Sequence, residues 1–294
     1  MGGACPELPD DTVSGAGRDS MTAGGSSGAI GFYAERRTVA FARGPLMDGG
    51  HPILAVTCLA FEARIAAGTG VRVFSATERP GLLARLEAAT ASGCCGIISF
   101  GVAGGLDPAL APGARVIATS VVTDTGRVRA DEAWARALLA AMPGSVHADI
   151  SGVDAPVADP AGKQALRRSH RTVAVDTESH IAAAVAARRG LPFAAVRVIL
   201  DPARRRLPPA ALLPLRRDGT ADFLAVLRSV RQDPAQVPDL LKIIADASLA
   251  WSTLARGRRL LGDGFGFPRA ATARADQIAA REPGILAQPA AGSG

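Results

Sequence analysis

The 294-residue chain is poor in aromatic residues, with one tyrosine, two tryptophans and nine phenylalanines. Basic residues without interleaved aromatics make a poor stacking platform for bases, so no nucleic-acid partner is expected. Cysteine is scarce as well. Cys5, Cys58, Cys94 and Cys95 contain no C-x-x-C pair, which argues against a disulfide framework or a thiolate zinc site. His51, His147, His170 and His180 show neither H-x-x-x-H nor H-E-x-x-H spacing, so no metal is expected. No run reaches the ~20 apolar residues that crossing a bilayer requires, and the first thirty residues lack the apolar core of a secretory signal. A cytoplasmic location follows as the expectation. Lysine occurs only at 163 and 242, the other basic residues being arginine, a bias that fits a GC-rich genome.

Hydrophobic residues make up 48% of the chain and the formal net charge is +6, a composition that suits a globular core. Residues 1–50 alternate Gly/Ser clusters with scattered charges and are expected to form a disordered extension, with a weak strand around Thr38–Ala42. Residues 51–260 are expected to fold as one domain, and residues 261–294 to form a flexible tail. Within the domain, short apolar runs alternate with helical spacing. Strands are expected at Ile53–Cys58, Val71–Ser75, Gly96–Phe100, Arg115–Val122, Ser145–Ile150, Thr172–Val175 and Phe193–Leu200. Helices are expected at Phe61–Ala67, Pro80–Ser92, Asp131–Ala141, Ser179–Arg189, Pro209–Arg216, Ala221–Arg231 and Val237–Arg256. Continuously apolar strands between helices imply a sheet covered on both faces, hence an α/β fold, a three-layer α/β/α sandwich with a central mixed sheet. Ligands in such sheets bind beyond the carboxyl ends of the strands.

Three motifs stand at those ends. Gly101-Val-Ala-Gly-Gly-Leu-Asp-Pro108 can bring main chain close to a ligand and point N–H groups into an anion- or hydroxyl-binding nest. Its spacing is not G-x-G-x-x-G, so a dinucleotide is not implied. Asp176-Thr177-Glu178-Ser179-His180 opens a helix, where acidic residues suit the helix dipole and a carboxylate can also accept two hydrogen bonds from a vicinal diol. Asp201-Pro202 places a carboxyl at the mouth of a buried strand, where desolvation favours its protonated, acid form.

Ala103-Gly104-Gly105, Asp176-Thr177-Glu178 and Leu200-Asp201 together resemble, in order and spacing, the purine nucleoside phosphorylase and nucleosidase superfamily. Cys58–Ile65, Ser99–Pro108, Thr177–His180 and the run from Leu191 to Pro209 resemble more narrowly the hopanoid-associated phosphorylases of bacteria. The resemblance implies cleavage of an N-glycosidic bond through an oxocarbenium-like transition state, with Asp201 as acid at purine N7. It implies Glu178 as the grip on the ribose hydroxyls, with Thr177 beside it in place of the usual methionine. Ser151, Gly152, Val153 and Val157 would frame the purine. Arg64, Ser99, Gly101, Ala103, Gly104 and Gly105 correspond to the phosphate-binding elements, and Glu62 to the glutamate that activates water in hydrolytic relatives. Inorganic phosphate as co-substrate and water as acceptor therefore both stand at this stage, and no other cofactor is implied. Leu200 replaces the Ser or Asn that orients the acid. The narrower resemblance implies adenosylhopane as substrate, adenine as leaving group, and contact of Arg204–Arg206 with the anionic inner membrane face. Apolar helix faces beyond those the sheet can cover, notably Leu240–Leu254, imply homo-oligomers, as in the superfamily generally. A methylthioadenosine/S-adenosylhomocysteine-type nucleosidase and a non-catalytic binding relative are the alternatives.

Overall fold

Period-two patterning distributes the apolar side chains of the first strands to opposite faces of one sheet. The computed structural model describes residues 51–75, 79–213 and 222–268. The expectations for residues 1–50, including the strand around Thr38–Ala42, and for residues 269–294 lie outside them. In chain order the elements are β1 (Ile53–Thr57), α1 (Ala60–Ala66), β2 (Val71–Ser75), α2 (Arg79–Ala91), β3 (Gly96–Gly105), β4 (Arg115–Thr123) and β5 (Gly126–Arg129). They continue with α3 (Glu132–Ala141), β6 (Val146–Gly152), α4 (Pro160–His170), β7 (Ala174–Asp176), α5 (Ser179–Arg189), β8 (Phe193–Asp201), α6 (Phe223–Gln232) and α7 (Val237–Leu261).

The sheet is mixed, as expected. β1 pairs in parallel with β2 and β3, and β3 in parallel with β8. Beyond this edge the pairing closes on itself. β8 pairs antiparallel with β4, β4 parallel with β6, β6 parallel with β7, and β7 antiparallel with β3 again. Register shifts at Ala103/Gly104 in the β3–β8 pair and between Ala118 and Val121 in the β4–β6 pair accompany this ring, since a bulge bends its strand and sharpens the twist.

Helices cover both faces. Leu82 and Leu86 of α2 and Ala182, Ala183 and Val185 of α5 pack in one buried cluster with Leu54, Val56 and Ile97. On the other side Ala66 of α1, Trp134 and Leu138 of α3, and Ala250 and Leu254 of α7 pack with Ile53, Ala55, Ile98, Phe100 and Val196. Asp131 caps α3 by accepting from Trp134 N at 2.8 Å, and Asp159 caps α4 by accepting from Gly162 N at 2.9 Å, each satisfying a donor that the helix itself leaves unpaired.

The structure departs from the sequence reading in four places. β3 runs five residues past Phe100, so Gly101–Gly105 is strand. α4 and β5 are elements that periodicity did not reveal. Of the helix expected at Pro209–Arg216, the described part is a single 3₁₀ turn at Pro209–Leu212. Packed structure also continues past residue 260. Leu261 and Phe265 are buried, and Trp134 Nε1 donates to Phe265 O at 2.9 Å, which ties this segment to the core where the start of a tail was expected. No helix among the described residues is long and apolar enough to cross a membrane. Phe223, Leu224 and Leu227 of α6 and Leu241 and Ile244 of α7 are exposed.

Candidate active site

The carboxyl ends of β1, β3, β7 and β8 converge with the segment after β6 on a cavity of about 190 Å³. Glu62, Glu178 and Asp201 all line it, from α1, the start of α5 and the end of β8. Glu62, Glu178 and Asp201, separated by up to 139 positions in sequence, thus share one space.

Glu62 is fully buried on the short helix α1. Its Oε2 accepts from Cys58 N and Leu59 N, each at 2.8 Å, and its Oε1 accepts from Val102 N at 2.7 Å. Burial pushes the carboxyl up from 4.5 to about 7, against the opposing pull of Arg197 and of the Leu59 and Val102 amides. A carboxylate balanced near neutrality, in hydrogen-bond reach of a cavity, is suited to take a proton from water.

Arg64 is exposed and does not line the cavity. Glu62 and Arg64 are two residues apart, and at 3.6 residues per turn such positions face nearly opposite ways. Of the two, only the glutamate lines the cavity.

Glu178 is buried at the mouth of α5 and accepts a hydrogen bond from Thr177 Oγ1. Asp176 fixes the turn beneath it. Its Oδ1 accepts from Glu178 N at 2.9 Å and Ser179 N at 2.7 Å, while its Oδ2 accepts from Ser179 Oγ at 2.6 Å. Arg197, fully buried in the middle of β8, underlies the whole acidic group. Its Nε donates to Asp176 Oδ2 at 2.8 Å, its Nη2 donates to Ser99 and Ser179 hydroxyls, and Nη2 lies 3.9 Å from Glu178 Oε2. Asp176, Glu178 and Glu62 in turn hold the guanidinium above its ordinary value. One cation thus offsets three buried carboxylates, which would otherwise be costly to ionise.

Asp201 is buried at the other end of the cavity. Burial raises its carboxyl, while Lys163 and Arg205 act in the opposite direction. The position expected to orient the acid, Leu200, lines the cavity with its apolar side chain. Lys163, from the first turn of α4, instead forms a buried ion pair with Asp201 Oδ2.

The glycine motif is placed differently from the nest expected of it. Ala103 and Gly104 line the cavity, but as strand residues paired with β8 and, at Gly104, β7. Gly101 packs over Glu62 and Arg197, Gly105 over Ile199 and Pro202, and Ser99 serves Arg197. Sheet pairing and the Glu62 bond to Val102 N occupy the main chain that an anion-binding nest would need. Of the purine-framing candidates, Val153 and Val157 line the cavity. Ser151 does not, its hydroxyl being committed to His170 Nδ1 at 3.0 Å and Thr172 Oγ1 at 2.6 Å. Gly152 packs against His180. Cys58, Leu59, Val102, Pro156 and Leu207 are also among the lining residues, and burial together with Glu178 and Glu62 pushes the Cys58 thiol up. The Arg204–Arg206 run is split, with Arg205 paired to Asp246 of α7 and its two neighbours exposed.

A larger open groove, of about 560 Å³, lies over β4–β6 and α3 and contains none of these residues.

The sequence profile of the phosphorylase superfamily matches residues 29–245, more than half of the chain. No curated protein matches by sequence. Among solved structures, the 5′-methylthioadenosine/S-adenosyl homocysteine nucleosidase of Helicobacter pylori is similar with a TM-score of 0.50 at 15% identity, covering 63% of this chain and 100% of its own. A proposed 5′-methylthioadenosine/S-adenosylhomocysteine nucleosidase from Francisella philomiragia has a TM-score of 0.50 at 15% identity, covering 71% of this chain and 96% of its own. At such identities the likeness establishes a shared fold.

Proposed function

We propose a reaction for this chain, which belongs to the phosphorylase superfamily: hydrolysis of the N-glycosidic bond of an adenine nucleoside, with water as the acceptor. The observation that carries the choice of water is the pairing of a buried, amide-held Glu62 with an outward-facing Arg64. Among the described residues lining the cavity there is no arginine or lysine to neutralise a phosphate, whereas Glu62 stands ready as a base.

The roles then follow from position. Glu178 accepts from the ribose hydroxyls, with Thr177 fixing one of its oxygens. These bonds strengthen as the sugar flattens toward the oxocarbenium ion and so favour the transition state over the ground state. Glu62 takes a proton from the water that attacks C1′. Asp201 faces the departing base, whose N7 gains a proton as the bond to N9 breaks. Apolar side chains dominate the remaining wall, including Leu59, Val157, Leu200 and Leu207. That lining supports a nucleoside with an apolar 5′ substituent, and the resemblance to hopanoid-associated phosphorylases supports adenosylhopane, giving ribosylhopane and adenine.

Purified protein incubated with adenosylhopane and with 5′-methylthioadenosine, with and without phosphate, tests the proposal by adenine release. Phosphate-independent turnover is expected, as is loss of roughly 10²–10⁴-fold in Glu178→Gln and Asp201→Asn. Strict dependence on phosphate would refute water as acceptor, and a preference for 5′-methylthioadenosine would refute the lipid-linked substrate.

A further inference from the structure

Lys163 is fully buried, and the role of the acid as described so far makes no use of it. Its Nζ donates to Asp201 Oδ2, to Pro202 O at 3.1 Å and to Arg205 O at 3.3 Å. Three acceptors, one of them a carboxylate oxygen in ion-pair contact, match the three donors of an ammonium. The resting pair is therefore ammonium and carboxylate. An aspartate held as a carboxylate has no proton of its own to deliver, and the base leaving N9 needs one.

We propose that Lys163 is the proton source behind Asp201, so that the two residues work as a single acid. The inference rests on the hydrolytic reading above. As the C1′–N9 bond breaks, its electron pair moves into the purine. A proton passes from Lys163 Nζ to Asp201, and Asp201 gives a proton to N7. The step leaves a neutral amine, a carboxylate and a neutral purine. Water adds to C1′ and loses its proton to Glu62, so the charge on the enzyme is unchanged in total. Solvent returns the proton from Glu62 to Lys163 after the products leave.

The surroundings are consistent with this division of labour. Arg205 is the other cation acting on Asp201, and it is itself bound to Asp246 of α7. A permanently charged guanidinium stabilises the carboxylate but gives up no proton, which leaves Lys163 as the donor. The arrangement also accounts for Leu200. With a lysine clamped on Oδ2 from α4, the carboxyl is oriented without a hydroxyl or amide on the preceding residue.

The test compares wild type, Lys163→Met and Lys163→Arg on two substrates, 5′-methylthioadenosine and p-nitrophenyl β-D-ribofuranoside, whose leaving group departs without a proton. Lys163→Met is expected to lose roughly 10²–10⁴-fold in kcat on the nucleoside and to keep p-nitrophenyl riboside turnover near the wild-type rate. Lys163→Arg, which keeps the charge, is expected not to restore nucleoside turnover. Rescue by arginine, or equal losses on both substrates, would reduce Lys163 to a structural or orienting charge and overturn the proposal. Should Lys163→Met fail to fold, the wild-type pH profiles decide. An alkaline decline on the nucleoside that the nitrophenyl riboside lacks supports the relay, and superimposable profiles overturn it. Wild type inactive on every nucleoside and on the nitrophenyl riboside would instead bring down the hydrolytic reading, and the relay with it.

Discussion

Gly101→Ala would place a methyl group in the tightest part of the site. An ideal β-carbon at Gly101 lies 2.5 Å from Glu62 Oε1, 2.7 Å from the Glu62 carboxyl carbon and 2.7 Å from Arg197 Nη1. Such contacts are tolerable where a flexible side chain can swing aside. Here neither neighbour can. Glu62 is held by three main-chain amides, and Arg197 by Asp176, Ser99 and Ser179. The least costly response is for the carboxylate to release Val102 N and retreat. Overpacking costs about 1–3 kcal/mol and a charge-assisted hydrogen bond about 1.5–3 kcal/mol, so a total of about 3–5 kcal/mol is expected. At about 2–4 °C per kcal/mol for a domain of this size, the melting temperature should fall by roughly 6–20 °C. A base displaced by an ångström should also lose on the order of 10²-fold in turnover. Scanning calorimetry and an adenine-release assay read the two effects. Gly126→Ala, whose β-carbon would meet nothing within 4 Å, is the control. A Gly101→Ala protein that melts and turns over like that control would refute the placement of Glu62 against β3.

The pH profile provides a second prediction. Glu62 must be ionised to accept a proton, so kcat/KM is expected to rise with pH through about 7, and Glu62→Gln should remove the activity along with that limb. The same burial has a stability consequence of opposite sign. The folded-state value of about 7 lies above the ordinary 4.5, so between these values the native state holds a proton that the unfolded chain has released. Stability from this group is complete below 4.5 and is lost as pH rises through 7, by roughly 3 kcal/mol. Chemical denaturation at pH 5 and pH 8 measures it. For Arg197→Met, removal of the shared cation should destabilise the fold by about 3–5 kcal/mol and move the acidic limb to higher pH, because the guanidinium pulls the Glu62 carboxyl down. An unmoved limb would mean that Arg197 supports the fold without tuning the base.

Much of the scaffold was legible because buried strands announce themselves. β1, β2 and β8 lie within a residue or so of the apolar runs that predicted them. Glu178 and Asp201 were legible as carboxylates at strand ends. The glycine motif misled because glycine spacing tells nothing of hydrogen-bond partners, and here β7 and β8 supply them across gaps of some seventy to a hundred residues. Arg64 misled because motif spacing was read without the helical turn that separates it from Glu62. Lys163 could not be tied to Asp201 across 38 residues and a helix that periodicity did not reveal. A signal was nonetheless present, since a chain that uses arginine at nearly every basic position keeps a lysine here. Arg197 stood inside a recognised stretch, but only the ring of strands shows that three carboxylates depend on it.

Main-chain amides hold Glu62, and this gives the site an unusual freedom to vary. Cys58, Leu59 and Val102 contribute their N–H groups whatever side chains they bear, and all three side chains also form part of the wall. Exchanging them would reshape what the chamber admits while the Glu62 carboxyl stayed in register. Under the proposed hydrolysis, substrate choice and bond cleavage would be written into different atoms of the same residues, so a lineage could retune the first without surrendering the second.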